Sequence, residues 1–202
     1  MVDVSFCLLD IDYAMRDEKP IVRLWGKTKG GKNVLAIDRN FKPYFYVELS
    51  EKHANNEGVE RIRRRISELK DIGGEKLEKL ELVEKKLLGE KRTFMKIILQ
   101  DPTDINKLRR IIEDWEGIRK PYEYDISFYK RYMVDKGLTP LEWVSISGNE
   151  IKTDFKVDKA FEISEVKPSE GIHPKLNVLA IDIEISDENI IMISLVSKGF
   201  KK

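Results

Sequence analysis

The stretch EYDISFYKRYMVDKGL, Glu123–Leu138, mixes aromatic, apolar and basic side chains at close spacing. Its aromatic and long apolar members are Tyr124, Phe128, Tyr129, Tyr132 and Met133, and its basic members are Lys130, Arg131 and Lys136. Rings beside cations are typical of surfaces that stack unpaired bases and hold a phosphate backbone. The same pattern also fits an amphipathic segment that packs its rings into a core. Gly137 favours a left-handed helix end, and Pro140 prevents a helix from continuing.

The composition predicts a folded chain with a highly charged surface and little net charge. Hydrophobic residues make up 41% and charged residues 36% of the 202 positions, and the formal net charge is +1. Lys- and Glu-rich surfaces of this kind are common in thermophilic proteins. Because the chain has no strong overall field, any binding to nucleic acid requires a local basic patch.

The single cysteine and the hydropathy pattern predict a cytoplasmic protein. Cys7 alone cannot form an internal disulfide or a cysteine zinc site, which fits a reducing compartment. No apolar run approaches the length of a membrane span, and the N-terminus lacks the pattern of a signal peptide. We therefore expect no membrane partner.

The first forty residues predict a small antiparallel β-sheet. Apolar and polar residues alternate at the end of Val4–Tyr13, as in a strand with one buried face. Pro20–Thr28 and Asn33–Asp38 are further predicted strands, and Lys29-Gly30-Gly31-Lys32 between them has the composition of a hairpin turn.

A second unit follows the order β-α-β-β-α-β, which is the ferredoxin-like pattern shared with RNA-recognition modules. Its predicted elements are a strand at Phe41–Leu49, a helix with apolar positions Val59, Ile62, Ile66 and Leu69, strands at Leu77–Val83 and Thr93–Gln100, a helix entered at Asp101-Pro102, and a strand at Ile118–Tyr124. Gly73-Gly74 is expected to break the chain after the first helix. A helical start at Glu75–Leu82 is the alternative for the second strand. The overall fold class is therefore α+β.

The C-terminal third contains weaker strands and then two strongly apolar ones. Ser147-Gly148-Asn149-Glu150 has the composition of a hairpin turn within a returning segment. Val178–Ile185 and Ile190–Val196 are apolar strands of the type found in sheets buried on both faces. Asp182 and Glu184 are two residues apart on the first of these, so both side chains leave the same face.

Several of these stretches, in order, resemble the N-terminal portion of archaeal family B DNA polymerases. The resemblance is carried by Glu123–Leu138 together with LLDIDYA (Leu8–Ala14), KPIVRLWGK (Lys19–Lys27), FKPYFYVEL (Phe41–Leu49), VEKKLLGE (Val83–Glu90) and LAIDIE (Leu179–Glu184). It implies an N-terminal template-binding domain at 1–135, with a β-sheet part at 1–40 and a ferredoxin-like part at 41–125. Return strands and a connector then occupy 136–175, and 176–202 is the truncated start of a ribonuclease H-like 3′-5′ exonuclease domain.

For Asp182 and Glu184 the resemblance implies a role as metal ligands of the proofreading exonuclease. Two neighbouring carboxylates can hold Mg²⁺ or Mn²⁺, and paired ions can drive phosphodiester cleavage. Ile185 stands where the family usually has threonine. The later carboxylates of the exonuclease and those of nucleotide addition have no counterpart here. We therefore expect this piece alone to bind metal weakly and to lack both activities, which belong to the complete nucleotidyltransferase.

The resemblance also implies a pocket that captures uracil in the template strand. The matching positions are Tyr13, Pro43, Tyr44, Ile105, Ile126, Phe128 and Arg131. A tight apolar slot can reject thymine through a clash with its C5 methyl group, and Arg131 is expected at a phosphate or at the rim. Ser127 replaces a frequent proline, and Ile105 is bulkier than the frequent valine and narrows the slot.

The expected partners are single-stranded template DNA, the remainder of the polymerase and, through parts outside this chain, a sliding clamp. The expected location is the archaeal cytosol, at the nucleoid. The alternative is a stand-alone ferredoxin-like module that binds single-stranded nucleic acid without catalysis. The strands Val178–Ile185 and Ile190–Val196 favour the first interpretation, because a self-sufficient protein is not expected to leave such apolar strands uncovered.

Overall fold

The computed structural model describes residues 1–69, 76–172, 176–198 and 200–201, and within them it has twelve strands and three α-helices. The strands are β1 (Val2–Arg16), β2 (Lys19–Lys27), β3 (Asn33–Asp38), β4 (Tyr44–Leu49), β5 (Leu77–Leu87), β6 (Glu90–Leu99), β7 (Ile118–Tyr122), β8 (Trp143–Ile151), β9 (Lys159–Ser169), β10 (Leu179–Ser186), β11 (Asn189–Ser197) and β12 (Phe200–Lys201). The helices are α1 (Asn56–Ser67), α2 (Asp104–Ile112) and α3 (Phe128–Lys136). The predicted α+β class is confirmed. The expected break at Gly73-Gly74 lies outside the described residues.

The three N-terminal strands form part of a closed barrel, in the order β1-β2-β3-β9-β8. β3 pairs with β9 in parallel, whereas the other neighbours are antiparallel. The barrel closes where β8 returns to β1, so the sheet has no open edge there. Gly31, at φ 79°, provides the left-handed position in the turn between β2 and β3, where a hairpin was predicted.

Alternation of apolar residues along the barrel strands builds its interior. That core contains Phe6, Leu8, Ile11, Val22, Leu24, Val34, Ala36, Val144, Ile146, Phe161, Ile163 and Val166. Helix α3 covers one end by inserting Phe128 and Tyr132 into the same cluster. The buried Tyr132 hydroxyl donates a hydrogen bond to the buried Asp38 carboxylate at 3.0 Å. Burial raises the pKa of Tyr132, and the nearby carboxylate of Asp38 raises it further. Gly137 ends α3 in the left-handed conformation, as predicted.

The second unit is inserted between the third and fourth barrel strands. Its sheet has the order β5-β6-β4-β7 with all neighbours antiparallel, and α1 and α2 cover one face. This order and the sequence β-α-β-β-α-β define a ferredoxin-like fold, as predicted. Leu77–Val83 is a strand, so the helical alternative for Glu75–Leu82 was wrong from Leu77 onward, and Glu75 lies outside the described residues.

The hairpin predicted at Ser147–Glu150 was wrong, because these residues lie inside β8. Position 148 requires glycine because β8 and β9 approach each other closely there. A Cβ atom at this position would lie 2.3 Å from the backbone oxygen of Glu162 in β9. The pairing of β8 with β9 also shifts register between Ser147 and Gly148, which marks a β-bulge. The connection between the two strands is instead made by residues 152–158.

The C-terminal strands form a separate sheet, in the order β10-β11-β12. The predicted strands are present, but their expected burial on both faces is not, since Ile183 and Ile193 are 48% and 52% exposed. β8 and β9 lie within the predicted connector at 136–175, although they complete the barrel. The predicted domain boundaries at 135 and 175 stay predictions. No helix in the described part of the chain is long and apolar enough to cross a membrane.

Candidate nucleic-acid interface

A surface groove of about 310 Å³ lies where the N-termini of α2 and α3 meet strand β1. We call it the base groove, and its lining residues are Tyr13, Pro102, Thr103, Ile105, Asn106, Tyr124, Asp125, Ile126, Ser127, Phe128 and Tyr129. Pro102 lies in the turn just before α2, and its fixed backbone suits the entry to the helix. Segments far apart in the sequence thus converge on one concave surface.

Four of the predicted pocket residues line the base groove: Tyr13, Ile105, Ile126 and Phe128. The rings of Tyr13 and Phe128 meet edge to face, with centroids 5.3 Å apart and planes at 75°. Tyr13 is 37% exposed, whereas Phe128 and Ile105 are buried. The groove therefore has a rigid apolar wall and an accessible aromatic edge.

Two helix N-termini supply polar groups to this apolar site. The first backbone N–H groups of a helix have no partner within the helix and carry a partial positive charge. Neither Thr103, at the start of α2, nor Ser127, at the start of α3, caps its helix with its side chain. At α2 the first amides have partners within the chain, because the Thr103 amide donates to the Asp101 carboxylate at 2.8 Å and the Asp104 amide to the Asp101 carbonyl at 3.2 Å. The uncapped start of α3 therefore offers the backbone donors for carbonyl oxygens of a ligand. Ser127 has φ −54°, within the range that proline fixes, so this backbone shape suits either residue.

Pro43, Tyr44 and Arg131 lie behind the groove and do not line it. Pro43 is buried, and its carbonyl accepts a hydrogen bond from the Leu99 amide at 2.9 Å. Phe41 connects the two regions, because its ring centroid lies 5.3 Å from that of Phe128 and 6.5 Å from that of Tyr44. These predicted residues therefore form a packed support for the groove wall.

Arg131 is buried, and does not lie at the exposed rim where the sequence placed it. Its guanidinium lies 4.9 Å from the centre of the Tyr44 ring and pairs with the Glu123 carboxylate at 2.7 Å. Glu123 has φ 59°, a left-handed conformation that turns the chain back toward α3. Arg131 thus fastens the start of the segment that forms one wall of the groove.

Tyr44 is held by a charged neighbour on its other side. Its hydroxyl lies 2.8 Å from both carboxylate oxygens of Asp135. Burial raises the pKa of Tyr44, and the hydrogen bond to Asp135 raises it further. The ring is therefore a neutral, fixed part of the support.

Sequence reasoning missed six lining residues, among them Pro102 and Tyr124; the others are Thr103, Asn106, Asp125 and Tyr129. Pro102 lies three residues before Ile105, so their proximity follows from the helix entry at Asp101-Pro102. Tyr124 belongs to the aromatic stretch, and the Arg109 guanidinium lies 4.6 Å from its ring centre. Both could have been found by extending the predicted pocket to the residues that lead into each helix.

The exonuclease candidates Asp182 and Glu184 lie on β10, far from the groove in sequence. Both are exposed, and the pairing with β11 is regular from Leu179 to Glu184, so alternation puts both on one face. No cluster of three or more potential metal-ligating side chains occurs within the described ranges. Divalent magnesium requires about six oxygen ligands. The pair supplies only part of such a set.

Comparisons with known proteins agree with this architecture. Residues 119–202 match the family model for the exonuclease domain of DNA polymerase family B. DNA polymerase 1 of Pyrococcus abyssi is 37% identical over 157 residues, which are 75% of this chain and 18% of that protein. DNA polymerase 3 of Saccharolobus solfataricus is 30% identical over 183 residues, which are 90% of this chain and 22% of that protein.

A solved structure extends the agreement to three dimensions. The family B DNA polymerase from the hyperthermophilic archaeon Pyrobaculum calidifontis superposes with a TM-score of 0.78 at 28% identity. The match covers 98% of this chain and 26% of the polymerase, so the chain spans about a quarter of that protein. The chain therefore corresponds, in sequence and in fold, to the N-terminal portion of the archaeal family B DNA polymerases.

Proposed function

We propose that this chain is the template-reading part of a DNA polymerase, and that its base groove holds one unpaired base of the single-stranded template. The whole enzyme would add nucleotides and proofread in the archaeal cytosol, on the replicating chromosome. Its relatives are DNA polymerases, and the chain spans about a fifth of the length of the curated ones. We assign template binding to this portion as part of the proposal.

The observation that carries the proposal is the meeting of two helix N-termini beside the Tyr13–Phe128 edge. A nucleobase needs an apolar wall for its ring and hydrogen-bond partners for its edge. Flipping a base out of a strand is least costly where the strand is already single. The groove offers both kinds of contact at a surface that an unpaired strand can reach.

We propose uracil as the preferred base. Its two carbonyl oxygens accept hydrogen bonds, which suits the backbone donors at the uncapped start of α3. Thymine carries an additional C5 methyl group, which a groove narrowed by Ile105 excludes. Cytosine replaces one carbonyl by an amino donor and so mismatches the donors. Ser127 stands where relatives often have proline and has a backbone conformation that proline also adopts, so the groove wall keeps its shape with serine at this position.

The test is a fluorescence titration with single-stranded DNA that differs at one position, uracil or thymine, at fixed salt. One excluded methyl group corresponds to a preference of about tenfold or more for uracil. Tyr13→Ala should reduce that ratio, because it removes the accessible edge of the groove. Met15→Ala is the matched control, since Met15 is 41% exposed on the same strand and does not line the groove. Equal affinities for the two oligonucleotides would refute the proposal.

For Asp182 and Glu184 we propose the role of partial metal ligands that become functional only in the complete polymerase. Support comes from the match of residues 119–202 to the exonuclease domain and from the position of both carboxylates on one strand face. Digestion of single-stranded DNA with Mg²⁺ or Mn²⁺ should show no cleavage by this chain. Cleavage that Asp182→Ala abolishes would overturn this part.

A further inference from the structure

One wall of the base groove is built by the short loop between β7 and α3. Five consecutive residues, 124–128, line the groove. Residues 124–127 belong to no helix or strand, and their amides donate to no described backbone carbonyl. The position of this wall therefore depends on how the two ends of the loop are held.

The start of the loop is held through Glu123, which has the left-handed φ of 59° that few residues with a side chain adopt. Two cations from different elements meet its carboxylate. The Arg131 guanidinium from α3 lies 2.7 Å from Oε2, and the Lys85 ammonium from β5 donates to Oε1 at 3.3 Å. Arg131 also donates to the Glu123 backbone carbonyl at 3.4 Å. We call these three residues the Glu123 clamp.

Lys85 is the member of the Glu123 clamp that lies outside the groove and its support. It is 38 residues before Glu123, on the edge strand β5 of the four-stranded sheet, and no residue of β5 lines the groove. Its Nζ lies 3.7 Å from the ring centre of Tyr46, so a cation–π contact also holds it over the sheet. Lys85 thus connects the groove wall to a distant strand.

The two halves of the Glu123 clamp differ in their access to water. The Arg131 side chain is 7% exposed, whereas those of Lys85 and Glu123 are 36% and 35% exposed. A buried guanidinium requires its carboxylate, because an unpaired buried charge is costly. The Lys85 half is open to dissolved ions, so salt weakens it more than it weakens the Arg131 half.

We propose that Lys85 is a positioning residue for base selection, which acts through Glu123 on the groove wall. This role rests on the proposed uracil preference of the base groove. With Lys85 in place, both carboxylate oxygens of Glu123 are held, and the loop that carries Ile126 keeps the groove narrow. Loss of Lys85 frees one oxygen, so the start of the loop shifts and the groove accepts the C5 methyl group of thymine.

The test measures the ratio of affinities for single-stranded DNA with one uracil or one thymine, because the two strands have the same phosphates and their common salt dependence cancels. Lys85→Met should lower this ratio about threefold, as expected for a partly exposed ion pair. Lys85→Arg should keep the ratio of the unmodified protein. High salt should lower the ratio of the unmodified protein toward that of Lys85→Met.

Lys86→Met is the matched control. Lys86 is exposed on the same strand, and the alternation of a strand directs its side chain to the other face. The ratio should therefore change by less than about 1.5-fold in this variant. A ratio unchanged by Lys85→Met, or lowered equally by Lys86→Met, would overturn the positioning role.

The methyl resonance of Ile126 in the free protein is a second readout, which needs no ligand. Lys85→Met should shift it, and Lys86→Met should leave it in place. An Ile126 resonance that stays in place in Lys85→Met would also overturn the role. If the unmodified protein shows no preference for uracil, the proposed function fails, and the Ile126 resonance alone decides whether Lys85 positions the wall.

Discussion

Two strands of this protein share the pattern acid-isoleucine-acid and differ in their surroundings. In β1 the pattern is Asp10-Ile11-Asp12, and in β10 it is Asp182-Ile183-Glu184. Ile11 is 5% exposed inside the barrel, whereas Ile183 is 48% exposed. Both strands pair with an antiparallel neighbour. The alternation therefore determines the strand, and the elements packed on it determine what it buries.

The difference separates a covered region from an uncovered one. The barrel and the four-stranded sheet each have a core covered by helices, and the base groove lies where α2, α3 and β1 meet. The C-terminal sheet has exposed isoleucines on both strands of its hairpin. We infer that the first region supports binding by itself, and that the second acquires its chemistry from the remainder of the polymerase.

The largest expected effect comes from the two matched isoleucines. Ile11→Ala should lower the free energy of unfolding by about 2–5 kcal/mol, because it leaves a cavity in the barrel core. Ile183→Ala should change it by less than about 0.5 kcal/mol, because that side chain is exposed. Urea unfolding of both variants measures the two values. Similar losses would show that β10 is buried, and the comparison would fail.

A second, smaller effect concerns a buried carboxylate of the covered region. Asp104, fully buried at the start of α2, pairs with Lys107 at 2.9 Å and with Lys76 at 3.2 Å. Asp104→Asn should cost about 1–3 kcal/mol at neutral pH. Glu184→Gln, on the exposed strand, should cost less than about 0.5 kcal/mol. Equal effects would contradict the distinction between the regions.

The pH dependence follows from the same carboxylate. Burial alone would raise the pKa of Asp104, but hydrogen bonds from Lys107 and Lys76 bring it below the ordinary value of 3.8. The resulting stabilisation is present above 3.8 and is lost as the pH falls through the lower folded value. Asp104→Asn should therefore flatten the loss of stability below about pH 4, measured by urea unfolding across pH. If the Asn variant lost stability below pH 4 as steeply as the unmodified protein, the role of Asp104 in the pH dependence would be contradicted.

The smallest effect sharpens the comparison of the two acidic pairs. Asp12 accepts two hydrogen bonds from Arg23, both at 2.7 Å, in a partly exposed ion pair. Asp12→Asn should cost about 0.2–1 kcal/mol at low salt and less at high salt. Asp182→Asn should have no measurable effect on unfolding at either salt concentration. A salt-independent loss for Asp12→Asn would assign the effect to packing.

Periodicity predicted the ferredoxin-like unit because its elements are set by local pattern. The apolar spacing of Val59, Ile62 and Ile66 is a property of one helix, and neighbouring strands pair within the unit. The barrel was not predicted, because its closure depends on pairing between β1 and β8, which are far apart in sequence. Gly148 was wrongly predicted to lie in a hairpin turn for the same reason, since glycine is needed there to let β8 approach β9 closely.

The base groove was predicted in part. Tyr13, Ile105, Ile126 and Phe128 meet there, although only the family resemblance connected them. Arg131 was expected at the rim because isolated arginines are seldom buried. Its burial depends on Glu123 folding back in a left-handed conformation, which sequence spacing does not reveal.

The most direct test is methyl NMR of the isoleucines during titration with single-stranded DNA. A uracil-containing oligonucleotide should shift the methyl resonances of Ile105 and Ile126, which line the base groove, and leave those of Ile183 and Ile193 in place. The thymine version should shift the groove methyls much less. Identical shifts with uracil and thymine, or shifts confined to the C-terminal sheet, would contradict the central claim.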